Sequence, residues 1–366
     1  MTAQLDTKSP PERVCILRLS AIGDTCHVVP LLHRLQRAWP QTQFTWVIGR
    51  IEARLMSVLP GVEFIIVDKR ADRAARRVLR QQLAQRRFDL LLHLQLALRA
   101  SLLAWRIPAT TKLGFDRARA RELQWLVTDQ RIAPRQREHV LDSFMGFADA
   151  LDLPRMPLDL RLPLPDEAQA YARALIPDGR PTLIVSPCSS HTARNWRPER
   201  YAAVIAQAQR EFGLRVILCG GPAAAEKDMA AAIDVALRAL AGADDCAQLV
   251  NQVGKDTLPQ LQALLGRAVA LISPDSGPAH MGTLAGIPVI GLYAATNPAR
   301  SGPYNSLQWC VDRYDAAARR YCSRPADELP WTRKIEVPGV MDLIRVDDVL
   351  ERLQQLRIAG LLGSRP

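Results

Sequence analysis

Val14-Cys15-Ile16-Leu17-Arg18-Leu19-Ser20-Ala21-Ile22-Gly23-Asp24 is the stretch on which the fold turns. Its first half is a near-continuous apolar run, the pattern of a strand covered on both faces. The chain then turns through Ser20–Gly23. From Asp24 to Ala38 the residues Val28, Leu31, Leu32 and Leu35 recur at helical spacing until Pro40 ends the helix. Further strands are expected at Phe44–Ile48, Val62–Val67 and Phe88–Leu94, with helical patterns between them. Strand and helix in alternation predict a parallel sheet with right-handed crossovers.

Between Leu153 and Pro181 the character changes, with Pro154, Pro157, Pro163, Pro165, Pro177 and Pro181 and one short helix at Asp166–Leu175. This is the expected passage between domains. The alternation then restarts. Strands are expected at Thr182–Val185, Arg215–Cys219, Ala268–Ser273 and Pro288–Tyr293, and helices at Glu199–Phe212, Ala223–Leu237, Thr257–Leu265 and Gly277–Ala285. The expectation is an α/β protein of two consecutive Rossmann-like domains, 1–165 and 166–366. Its last helix, about Val346–Leu356, is free to pack back on the first domain. Ligands of open α/β sheets bind beyond the carboxyl ends of the strands, so the informative residues belong just after strands.

Composition narrows the class. A chain of 366 residues with 48% hydrophobic residues can bury the cores of two domains. Seven cysteines without a C-x-x-C pair argue against a disulfide framework and a thiolate zinc site, and fit a reducing cytoplasm. Met1–Pro11 is polar and carries no signal-peptide core, and no apolar run reaches the ~20 residues of a membrane helix. The net charge of +11 suits phosphates or an anionic surface. Aromatics at 5% do not interleave with the charge, so nucleic acid is not expected.

Three loops after strands could carry chemistry. In Ser20–Asp24, Gly23 permits close approach of a ligand, and Asp24 is either a general base or a helix cap. In Ser186–Trp196, the hydroxyls of Ser189 and Ser190 and the fork of Arg194 could bind phosphate. In Ser273–His280, Asp275-Ser276-Gly277 leads from strand to helix, a geometry that offers free N–H groups to an anion. Glu226, after Gly220-Gly221-Pro222, and Lys255 are weaker candidates. A basic run from Lys69 to Arg87, with Arg73, Arg76 and Arg77, and a second group including Arg121 could bind an anionic acceptor or lipid; the alternative is a solvated helix face. The absence of G-x-x-x-x-G-K-[ST] and of G-x-G-x-x-G after the first strand argues against a P-loop kinase and a dehydrogenase.

These motifs, in this order, resemble glycosyltransferase family nine, the lipopolysaccharide heptosyltransferases, from about Arg13 to Tyr304. Leu17–Asp24 is similar to the family's strand and G-D turn. Asp275–His280 resembles its D-[ST]-G-x-x-H. Gly286-Ile287-Pro288 with Thr296-Asn297-Pro298 resembles its closing motifs. The resemblance implies a GT-B fold, two Rossmann-like domains facing across a cleft. It implies ADP-heptose as donor on the C-terminal domain and a lipid-linked, anionic glycolipid acceptor of the inner core on the N-terminal one, at the cytoplasmic face of the inner membrane. By the same resemblance Asp24 is the catalytic base, and Ser189, Ser190, Asp275, Ser276, Gly277 and His280 are donor-site residues. Fixed donors on these loops can replace a divalent metal, so no metal is expected. Arg194 stands where the family usually has lysine, two residues before Trp196. Alternatives are a transferase of another nucleotide sugar, a non-catalytic nucleotide-sugar or lipid binder, and a GT-B sugar epimerase.

Overall fold

The computed structural model describes residues 9–177, 180–240 and 249–363. The polar start of the chain through Lys8, and Cys246, lie outside them. Two compact units divide at Pro163/Leu164. The first runs β1 Arg13–Leu17, α1 Ile22–Ala38, β2 Gln43–Gly49, α2 Arg50–Met56, β3 Val62–Val67, α3 Arg73–Ala84, β4 Phe88–His93, α4 Leu98–Arg106, β5 Ala109–Gly114, β6 Gln130–Arg131 and α5 Val140–Asp149. The second runs α6 Asp166–Leu175, β7 Thr182–Val185, α7 Pro198–Phe212, β8 Arg215–Leu218, α8 Ala224–Leu240, β9 Leu249–Asn251, α9 Leu258–Arg267, β10 Ala270–Pro274, α10 Gly277–Leu284, β11 Val289–Tyr293, α11 Pro298–Ser301, β12 Val311–Asp312, α12 Tyr314–Cys322 and α13 Val346–Ile358.

Each unit holds a parallel sheet, ordered β3-β2-β1-β4-β5-β6 in the first and β12-β11-β10-β7-β8-β9 in the second. Counted from its own first strand, each has the order 3-2-1-4-5-6 of the doubly wound nucleotide-binding fold. The order reverses between β1 and β4, where Leu17 pairs with His93, and between β7 and β10, where Val185 pairs with Ile272. These are the places where such sheets hold ligands, and the loops after β1, β7 and β10 open there.

Local signals set the element ends. α7 begins with Pro198 in its first turn and ends at Gly213, whose φ of +65° suits glycine. Thr257 caps α9, accepting from the Gln260 N–H at 3.4 Å, while the Gln260 side chain accepts from the Thr257 N–H at 2.8 Å. Asp24 is not at the N-cap position of α1, where one reading of the sequence put it, but its carboxylate does accept from a helix-end N–H, that of Ala21. The cap position is Ala21, and Asp24 sits in the first turn.

Each unit has its own core. In the first, α3 and α4 cover one sheet face, with Leu83, Ala100 and Ala104 packed on Cys15, Leu17, Val47 and Leu91. In the second, Val349, Leu353 and Leu356 of α13 are fully buried in the unit's core with Val204 and Ala208 of α7. Arg357 donates to the Glu211 carbonyl at 3.2 Å and lies 4.8 Å from the Phe212 ring centre. The last helix, which the sequence left free to pack back on the first domain, buries its apolar stripe in the second unit's core.

Candidate active site

In the first unit the site is built at the end of β1. Arg18 follows the strand directly and is only 8% exposed. Burying a guanidinium requires partners, and it has several. It donates to the Leu94 carbonyl at 2.6 Å, pairs with the Asp24 carboxylate, and lies 5.3 Å from the Phe144 ring centre. The Gln95 side chain, from the neighbouring strand's loop, accepts from the N–H groups of Leu19 at 2.8 Å and Ser20 at 3.2 Å. The turn is thus tied to both strands of the switch point. Asp24 accepts from the Ala21 N–H at 3.3 Å, and its side chain stays 34% exposed. A carboxylate held on one side by a buried cation and open on the other can take a proton from a bound hydroxyl. Gly23 is buried beneath it.

Arg18 is a residue of this turn that motif reading did not single out. The available signal was a charged residue inside an apolar strand run, which must be satisfied by whatever the fold brings beside it. His93, at the end of β4, is fully buried, and neither ring nitrogen has a hydrogen-bond partner among the described residues. Burial, with Lys112 and Arg18 nearby, lowers its pKa to about 3, so the ring is neutral.

In the second unit the loops after β7 and β10 interlock. Ser189 donates its hydroxyl to the Asp275 carbonyl at 2.9 Å, and its N–H donates to Asn195 Oδ1 at 2.7 Å. Ser190 is exposed beside it. Arg194, 8% exposed, bridges two carboxylates: Nη1 to Asp275 Oδ2 at 3.1 Å, and Nε and Nη2 to Glu336 Oε1 at 2.8 and 2.6 Å. Burial works to raise the Glu336 pKa, but the Arg194 guanidinium outweighs it and holds the carboxyl below its usual range. Sequence reasoning gave Arg194 a free fork for phosphate; the structure gives that fork two protein partners. Glu336 carried no motif and was not anticipated.

Ser276 precedes α10 and makes no side-chain cap bond; its hydroxyl lies 2.8 Å from that of Ser273. The first turn of α10, from Gly277, therefore presents N–H groups not occupied by its own cap residue. His280, one turn on, is buried with Nε2 4.0 Å from Asp275 Oδ1. Glu226 accepts from the Gly221 N–H at 2.6 Å, and a Cβ on Gly221 would meet its carboxylate at 2.7 Å. A glycine is needed there for that carboxylate to close on the backbone. Lys255 donates to the Asn251 carbonyl at 2.5 Å. The structure thus brings Ser189, Arg194, Asp275 and His280 into one connected group. Glu226 and Lys255 are tied to the loops at the ends of β8 and β9.

The basic candidates stand apart. Arg73 and Arg77 are exposed on α3, and Arg121 is exposed near β6; the side chain of Arg76 lies outside the described residues. A cavity of about 650 Å³ is at the opposite edge of the first sheet, lined by Arg13, Gln43, Glu63, Arg86 and Phe88 at the strand beginnings. The open α/β principle argues against that edge. Among the described residues no group of three or more potential ligands could hold a metal ion.

Comparison with known proteins identifies the family. Residues 76–328 match the profile of Glycosyltransferase family 9 (heptosyltransferase). The chain is 38% identical over 346 residues to the lipopolysaccharide core heptosyltransferase OpsX of Haemophilus influenzae, covering 94% of this chain and 97% of that protein. Its fold is similar to a glycosyl transferase family 9 structure from Veillonella parvula (TM-score 0.76, 21% identity, 98% and 100% of the two chains covered). It is also similar to the E. coli heptosyltransferase WaaC with ADP (TM-score 0.71, 20% identity, 94% and 99% covered).

Proposed function

The chain belongs to glycosyltransferase family 9, and from that premise we propose that it transfers heptose from ADP-heptose to the lipopolysaccharide inner core, with inversion at the anomeric carbon. The observation that carries the reading is Asp24: a part-exposed carboxylate at the β1/β4 switch point, backed by a buried arginine. Support for the donor comes from the OpsX relative, a core heptosyltransferase by name, and from the ADP in the E. coli structure.

In this reading Asp24 accepts the proton as an acceptor hydroxyl attacks the anomeric carbon from the face opposite the diphosphate. The leaving-group charge falls on the N–H groups at the start of α10 and on the Ser189 and Ser190 hydroxyls. Arg194 stands beside them with its charge shared by Asp275 and Glu336, so it acts mainly by fixing those carboxylates. Asp275 and Glu226 hold the nucleoside end, with Ser276, Gly277, His280 and Lys255 around them. No divalent metal is required, because fixed donors meet the diphosphate charge. The acceptor is a lipid A–Kdo glycolipid, met by Gly23 and the basic residues Arg73, Arg76, Arg77 and Arg121. The enzyme works at the cytoplasmic face of the inner membrane as a peripheral protein; no helix among the described residues is long and apolar enough to cross it.

The test is calorimetry with ADP, UDP and GDP, followed by transfer from ADP-heptose to truncated lipopolysaccharide. ADP is expected to bind and heptose to be transferred. Binding of UDP or GDP in place of ADP overturns the donor, and binding without transfer or hydrolysis overturns the enzyme reading.

A further inference from the structure

α4 has its amphipathicity inverted. The residues it turns to the sheet are small: Ala100, Ser101 and Ala104 are buried, with Leu103 packed beside them. Its large apolar residues point outward. Leu98 is 42% exposed, Leu102 48% and Trp105 64%. Their spacing of four and then three residues makes one continuous stripe. A surface helix ordinarily buries such a stripe, and an exposed apolar patch with a polar rim marks a contact surface. The rim here is basic. Arg106 lies 5.4 Å from the Trp105 ring centre and donates to the Leu102 carbonyl at 2.9 Å. Arg99 is exposed at the other end. α3 packs against the same sheet face and against α4. Its Arg73, Arg77 and Arg80 are exposed and form no ion pair among the described residues.

We propose that the outward faces of α4 and α3 together form a docking surface for an anionic lipid bilayer. The α4 stripe enters the headgroup–acyl boundary and the arginines meet lipid phosphates. Tryptophan with flanking arginine suits that boundary, because the ring is apolar with a polar edge and the guanidinium reaches headgroups. Charge selects this occupant over a second copy of the chain. Two such faces apposed would bring like charges together, whereas an anionic surface complements each arginine. The surface also adjoins the chemistry: Arg99 donates to Ser20 Oγ at 3.1 Å, in the turn leading to Asp24. α4 is nine residues long, roughly 14 Å. A bilayer held on its stripe is therefore within about a helix length of the base, where the sugar of a lipid-linked acceptor must arrive. This inference rests on the reading that the acceptor is lipid-linked.

The experiment is flotation of the full chain with phosphatidylcholine vesicles, with and without phosphatidylglycerol. It compares wild type, L102S/W105S and R73E/R77E. Wild type is expected to float with the anionic vesicles and to be released by salt. Each double variant should lose at least about tenfold in vesicle partition, with ADP binding by calorimetry unchanged. L102S/W105S should also keep transfer to a lipid-free core oligosaccharide while losing transfer to vesicle-embedded acceptor. If wild type floats and both variants float equally, this surface is wrong and the membrane reading stands. If wild type does not float with either vesicle, the membrane reading itself fails. If sedimentation shows wild type dimeric and L102S/W105S monomeric with flotation unchanged, the stripe is covered by a second copy and the proposal is overturned.

Discussion

Replacing Asp24 by asparagine separates chemistry from architecture at the β1 turn. The amide keeps the carboxylate's shape and one acceptor oxygen, so the bond from the Ala21 N–H, 3.3 Å in the wild type, has a counterpart. What is lost is the charge opposite Arg18. That arginine keeps the Leu94 carbonyl at 2.6 Å and the Phe144 ring. The Asp24 side chain is 34% exposed, so solvent screens the pair. Its loss should lower stability by about 1 kcal/mol. Removal of a positioned base lowers turnover by ~10²–10⁴, equivalent to about 2.7–5.4 kcal/mol of barrier. The two effects differ enough to be told apart. Single-turnover transfer should fall within that range, urea unfolding should shift little, and calorimetry should give wild-type ADP affinity. Near-wild-type turnover in Asp24→Asn refutes the base. A stability loss as large as the activity loss instead makes the pair with Arg18 an architectural clamp on α1.

Arg194→Ala removes the cation between Asp275 and Glu336 and should weaken ADP binding by about 1.5–3 kcal/mol. Arg194→Lys should recover only part of this, since one ammonium cannot reproduce bonds from three nitrogens; wild-type ADP affinity in both variants counts against a donor-site role. His93 sets a pH dependence. Burial lowers its pKa from 6.5 to about 3, so below pH 6.5 the unfolded chain takes up a proton that the folded chain refuses. Stability is unaffected by this group above that pH and declines as pH falls towards 3. At pH 5 the loss is about 2 kcal/mol. Urea unfolding at pH 7 and pH 5 should show a smaller difference for His93→Leu than for wild type, and equal differences refute the assignment.

The two sheets were legible because parallel strands buried on both faces are apolar nearly throughout, as in Val14–Leu17 and Leu183–Val185. The loops after β1 and β10 were legible because each apolar run ends in a hydroxyl, a glycine and a carboxylate, and the loop after β7 because its run ends in hydroxyls and an arginine. The sheet edges were not. β6 and β12 are two residues long and β9 three, too short to carry a period. The partners of buried charges were also hidden. Arg18 meets a carbonyl 76 residues away, and Arg194 meets Glu336 across 142 residues. No local pattern says which carboxylate the fold will deliver.

Periodicity fails in a further way at α4 and α13. It reports that a helix has an apolar face, not what that face meets. In α13 the stripe of Val349, Leu353 and Leu356 is buried within its own unit, where the sequence equally allowed a return to the first. In α4 the stripe of Leu98, Leu102 and Trp105 reads as core and stands in solvent. What decides between them is the size of the opposite face. Alanine and serine at 100, 101 and 104 let α4 sit close on the sheet and fill that contact themselves. No room is left beneath for a tryptophan, so the large residues must turn outward. An apolar helix with a small-residue face is therefore a sequence signal for a surface that awaits a partner, and here basic residues border it on both helices.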